Sequence, residues 1–103
     1  MAQFHSICKK HDVPIGSARM FVVNEIPIGI FHVDGEFFAL DNRCPHAGAS
    51  LSLGTMDRDT VSCRIHHWHF CLRDGTYLDE NRPEFDARCF PVRLKGDEVQ
   101  VQV

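Results

Sequence analysis

The chain has 103 residues, of which 44% are hydrophobic, and 11 Lys and Arg against 14 Asp and Glu give a formal charge of −3. That length suits one domain with one modest core, and the absence of a Lys/Arg block argues against nucleic acid, whose phosphates need clustered cations. No stretch approaches the roughly 18–20 apolar residues that span a bilayer, and Met1-Ala2-Gln3-Phe4-His5-Ser6 is no secretory signal, so a cytoplasmic protein that binds no membrane is expected.

In chain order, residues 4–8 form a short candidate strand, and Pro14 and Gly16 interrupt the segment after it. Residues 20–23, 29–33 and 36–40 are apolar runs rich in β-branched and aromatic side chains. Asp34-Gly35 lies between the last two and tolerates the positive φ of a type I′ turn, which predicts a hairpin. From Asn42 to Gly54 the alternation stops and Cys, Pro, His, Gly and Ser dominate, as in a loop. Residues 60–63 and 70–72 read as short strands interrupted at 66–69, and Asp74-Gly75 turns into a strand over 76–78. Residues 90–94 and 99–103 close the chain as a hairpin around Lys95-Gly96-Asp97. No segment shows sustained 3.6-residue periodicity.

Five cysteines, Cys8, Cys44, Cys63, Cys71 and Cys89, stand at irregular spacings with no Cys-x-x-Cys. In a cytosolic chain these are expected to be metal ligands or buried thiols rather than disulfides. Two short clusters stand out: Cys44-Pro45-His46 and Cys63-Arg64-Ile65-His66. Each offers one thiolate and one imidazole, a donor set suited to a [2Fe–2S] centre with two Cys on one iron and two His on the other. Cys₂His₂ is also a zinc set, but structural zinc needs pairs spaced to reach one tetrahedral ion, and Cys-x-His is awkward for that.

The surroundings resemble the Rieske ferredoxin family. Cys44-Pro45-His46-Ala47-Gly48-Ala49-Ser50-Leu51-Ser52-Leu53-Gly54 matches the family pattern Cys-Pro-His-x-Gly-x-x-Leu-x-x-Gly. Cys63-Arg64-Ile65-His66-His67-Trp68-His69-Phe70, with Asp74-Gly75 beyond it, matches Cys-x-x-His-x-x-x-Phe and the later turn glycine. The flanks, Phe38 to Arg43 and Phe90 to Arg93, are similar as well. The resemblance implies an all-β Rieske fold forming a single domain over 1–103. Its base sandwich or barrel would span 1–42 and 76–103, and an inserted cluster-binding part 43–75. It also implies one cluster per chain held by Cys44, His46, Cys63 and His66, with the two histidines at an exposed tip.

Two positions depart from the family: Arg64 stands where many relatives have Pro, and His67 where many have Gly. His67-Trp68 is similar to small subunits of NADH-dependent nitrite reductases, whereas Phe70-Cys71-Leu72-Arg73 is similar to ferredoxins of ring dioxygenases. The implied role is a one-electron carrier between a flavin reductase and a terminal oxygenase, with no substrate chemistry of its own. The alternative is the small subunit of an assimilatory nitrite reductase, bound to a large subunit. A membrane-anchored respiratory subunit is disfavoured, because neither loop has the extra cysteine that would form a disulfide. An oxygenase fragment is disfavoured because no room remains for a mononuclear iron domain.

Two thiolates leave a cluster less negative than four do, which raises its potential above that of plant-type ferredoxins. The Ser and Tyr that hydrogen-bond the cluster sulfurs in high-potential relatives are replaced here by Trp68 and Phe70. The expected midpoint is therefore low in the Rieske range, roughly −150 to −100 mV. Cys8, Cys71 and Cys89 are expected to be small buried hydrophobes. His5, His11 and His32 are expected in surface or satisfied polar roles. His67 and His69 are candidates for supporting or docking groups, and Trp68 for packing or shielding.

Overall fold

The computed structural model describes residues 3–45, 48–65 and 67–103. These residues form an all-β structure with three single-turn 3-10 segments, Lys10–Asp12, Leu51–Leu53 and Pro83–Phe85. The strands are β1 Phe4–Lys9, β2 Ala18–Val23, β3 Ile26–Val33, β4 Glu36–Asp41, β5 Thr55–Asp57, β6 Thr60–Ser62, β7 His69–Cys71, β8 Cys89–Phe90, β9 Val92–Lys95 and β10 Glu98–Gln102. They pair antiparallel in three sheets, ordered β1-β10-β9, β2-β3-β4-β8 and β5-β6-β7.

Strand β3 explains the layering. Its side chains alternate in direction, yet residues 28–32 are all buried, so both of its faces are covered. Ile28 and Ile30, with Ala39 of β4, pack against Val99 and Val101 of the first sheet. Phe31 and Leu40 point the other way, into a second core with Val61 of β6 and Phe70 of β7. The central sheet is thus sandwiched between the outer sheet and the loop-rich part. Each fully buried aliphatic side chain contributes roughly 1.5–3 kcal/mol.

The hairpin at Asp34-Gly35 forms as expected, with φ of 51° and 87°. A second turn of the same kind joins β2 to β3 at Asn24-Glu25, φ 50° and 66°, without glycine. Pro27, the second residue of β3, does not break the strand: it pairs with Val22 of β2, and its carbonyl accepts the Asn42 N–H at 2.8 Å. Two expectations are corrected. The run 90–94 is not one strand: Phe90 pairs with Ala39 in the central sheet, whereas Val92 pairs with Val101 in the outer one. Pro91 lies between them, lacks an amide donor, and marks where the chain changes sheets. Residues 76–78 form no strand but bond β7 through a single bridge at Phe70 and Tyr77. The strand β5 was not expected; Arg58, at φ 56°, turns it into β6.

Candidate metal centre

The first loop leaves β4 at Asp41. Asn42 is 3% exposed and ties three segments together. Its N–H donates to Pro27, its carbonyl accepts from Leu51, and its Oδ1 accepts from Ser52 at 2.8 Å. A Cβ at Gly29 would stand 3.0 Å from that Oδ1, so a larger residue there would have to push the Asn42 side chain aside. The loop is closed by the Cys44 N–H donating to Ala49 at 2.9 Å and the Gly48 N–H donating to Cys44 at 2.8 Å. Arg43 braces its start with paired bonds to Asp41, 3.0 and 2.7 Å. Burial alone would raise the Asp41 carboxyl, but the Arg43 hydrogen bonds outweigh it and hold that carboxyl below its ordinary range.

The second loop joins β6 to β7 and is closed by the Cys63 N–H donating to the Trp68 carbonyl at 2.7 Å. The two loops meet through a glycine. A Cβ on Gly54 would collide with the carbonyl oxygen of Ser62, so only glycine lets the end of the first loop lie against the start of the second. Gly75 plays the same part beneath them: its φ is 82°, and a Cβ there would collide with the Ala87 carbonyl.

Cys44 and Cys63 meet inside this frame. They are 2% and 0% exposed. They share one core with Leu51, Val61, Phe70 and Leu72, and their thiols are close enough to influence each other's charge. Burial pushes the Cys63 thiol up; the Ile65 amide, which donates to its sulfur, opposes that, and the neighbouring Cys44 adds to the rise. Two buried thiols side by side favour the neutral form unless a cation sits between them, and a bound metal ion deprotonates such ligands outright. The pair therefore fits two donors on one iron. The expected partners His46 and His66 lie outside the described residues.

Around the second loop Trp68, Tyr77 and Phe85 stack closely, with Trp68 4.5 Å from Tyr77 and 5.2 Å from Phe85. Trp68 thus has a packing role. Burial, then the Asp79 and Glu80 carboxylates, push the Tyr77 hydroxyl up. His69 is anchored by Asp79, which accepts from both its backbone N–H and its ring Nδ1 at 2.8 Å. His67 is exposed at φ 54°, a left-handed conformation costly for a residue with a Cβ. Among the isolated histidines, His32 is satisfied: its Nδ1 bonds the Val13 carbonyl at 2.7 Å and its ring stacks on Phe37. The remaining cysteines are less buried than expected. Cys8 and Cys71 are half-buried, and Cys89 is exposed because the two-residue strand β8 lies at the edge of its sheet.

Residues such as Asn42, Asp79 and Arg73 were not singled out from sequence. Arg73 bonds Glu36 at 3.3 Å and Asp59 at 3.3 Å, and so links the β3–β4 hairpin to the β5–β6 turn.

A Rieske [2Fe-2S] domain profile matches residues 3–91. The chain belongs to the Rieske [2Fe–2S] family. Its cofactor is a Rieske-type [2Fe–2S] cluster, and the aligned relatives share its length. The 3-phenylpropionate/cinnamic acid dioxygenase ferredoxin subunit of Photorhabdus laumondii is 41% identical over 94% of this chain and 91% of its own. The ferredoxin in a complex with the reduced oxygenase of carbazole 1,9a-dioxygenase superposes with a TM-score of 0.84 at 29% identity, over 96% of this chain and 92% of its own. A structure from Mycobacterium tuberculosis, described as an NADH-dependent nitrite reductase small subunit, superposes at 0.88 with 24% identity over 100% and 96% of the two chains. At that identity it shows the fold alone. No helix among the described residues is long and apolar enough to cross a membrane.

Proposed function

We propose that this chain is a soluble, cytoplasmic, low-potential electron carrier that passes single electrons from a flavin reductase to the terminal oxygenase of an aromatic-ring dioxygenase system. Cys44 and Cys63 would bind one iron of the cluster, and His46 and His66 the other. The part spanning 43–75 would carry these ligands on a base made of 1–42 and 76–103. The observation that carries the ligand set is the burial of the Cys44 and Cys63 thiols side by side, each delivered by a different closed loop. The relatives' roles in dioxygenase systems support the choice of partners.

When bound, the cluster supplies reversible uptake of one electron. The protein's part is to hold and shield it. The loop closures at Cys44–Ala49 and Cys63–Trp68 limit movement of both sulfurs. The Ile65 amide stabilises charge on the Cys63 sulfur. Leu51, Val61, Phe70 and Leu72 exclude water from beneath the pair. Phe70 has no polar atom to donate, which keeps the potential low. The test is a coupled assay with purified reductase and oxygenase components of a 3-phenylpropionate dioxygenase. Substrate-dependent NADH oxidation that requires this protein supports the reading. No stimulation by cluster-loaded protein contradicts the assignment of partners.

A further inference from the structure

The arginines of this chain are nearly all engaged. Arg43, Arg73 and Arg82 bind carboxylates. Arg19, Arg88 and Arg93 lie over the rings of Phe21, Phe90 and Phe4, 4.1 to 5.2 Å from their centroids. Among the described residues, only Arg58 and Arg64 have no such partner. Arg58 sits on the β5–β6 turn, at the opposite end of that hairpin from Cys63. Arg64 comes directly after Cys63, in the loop that closes over it, and is exposed. The same end of the molecule bears two exposed aliphatic side chains, Leu53 at 63% and Ile65 at 42%. Leu53 adjoins the Gly54–Ser62 contact between the loops, and Ile65 lies in the second loop itself. Of the carboxylates around these loops, Asp41 is held by Arg43, Asp59 by Arg73 and Asp79 by His69, and Asp57 lies with Arg58 at the turn end of the β5–β6 hairpin, away from Cys63.

We infer that Arg64, with Leu53 and Ile65, forms a cationic and apolar docking face that selects a redox protein whose contact surface is apolar and rimmed by carboxylates. This face rests on the electron-carrier role proposed for the chain and reverses what the net charge of −3 alone suggests. At an ionic strength near 0.1 M the Debye length is about 10 Å. Charges around the contact then set the encounter, and those farther away are screened. An uncompensated guanidinium at the rim of an apolar patch raises the association rate and rejects partners of like charge.

Two haem proteins serve as probes: ferric cytochrome b5, whose haem edge is ringed by carboxylates, and ferric cytochrome c, whose edge is ringed by lysines. The dithionite-reduced holoprotein is mixed with each in a stopped-flow instrument at about 0.1 M salt. One electron leaves the protein and reduces ferric haem to ferrous. Arg64→Glu is expected to slow reduction of cytochrome b5 roughly tenfold and to weaken its Kd by a similar factor. The same variant should speed reduction of cytochrome c. Arg64→Lys keeps the wild-type order, and Arg58→Glu changes neither rate. Equal rates for wild type and Arg64→Glu, with the cluster spectrum intact in both, overturn the docking face and leave the carrier role standing. A wild-type protein that holds no cluster overturns both.

Discussion

The two cores of this protein are built on different terms. The outer core, between the central sheet and β1-β10-β9, is made of Val, Ile, Ala and Phe, all from strands except Val13, and alternation along β3, β4 and β10 fills most of it. The inner core contains Cys44 and Cys63 as members, drawn from loops rather than strands, and depends on two close backbone contacts through Gly54 and Gly75. The first needs only hydrophobic burial. The second puts two thiols where burial disfavours their charge, so a bound cation completes it. Scaffold and site are thus adjacent layers with separate sources of stability, sharing the middle sheet.

That contrast can be broken most severely at the thiols. Cys44→Ser or Cys63→Ser should abolish cluster binding, read as loss of iron and of visible absorbance, while far-UV circular dichroism keeps its β signature. Unfolding of the whole chain would contradict the separation of layers. Ile30→Ala should do the reverse: it leaves a cavity costing about 2–5 kcal/mol in denaturant unfolding, with the cluster's spectrum unchanged. Gly54→Ala should cost about 1–3 kcal/mol, because the Ser62 carbonyl must move. It should also impair cluster retention, so that iron loss during dialysis separates it from Ile30→Ala. The smallest effect is expected at His67. Its left-handed backbone costs about 1–2 kcal/mol, and glycine adds about 0.5–1 kcal/mol of chain entropy. His67→Gly should therefore gain a few tenths to about 1 kcal/mol in the same unfolding measurement.

Much of the scaffold was legible because its signals are local. Asp34-Gly35 carries the turn chemistry within two residues, and the alternating runs on either side give strand direction. Asn24-Glu25 was not legible, because Glu is no signature of positive φ; the pairing of β2 with β3 forces it. Pro91 hid the change of sheet, since a run of apolar residues does not say which neighbour each will pair with. Thr55–Asp57 is too short and polar to register as a strand until β6 pairs with it. For the site, the Cys and His spacing carried the proposal. The supports are contacts between distant residues: Asn42 with Ser52, Gly54 with Ser62, Asp79 with His69. Side-chain type alone does not announce them.

Whether the two loops hold a mixed Cys/His cluster of low potential is tested most directly by an anaerobic redox titration of the purified protein followed by EPR. The expected result is a rhombic signal in the reduced state with an average g below two and a midpoint of roughly −150 to −100 mV. A clearly positive midpoint would contradict the low-potential assignment. A protein that stays colourless and EPR-silent after cluster reconstitution would contradict the electron-carrier role as a whole.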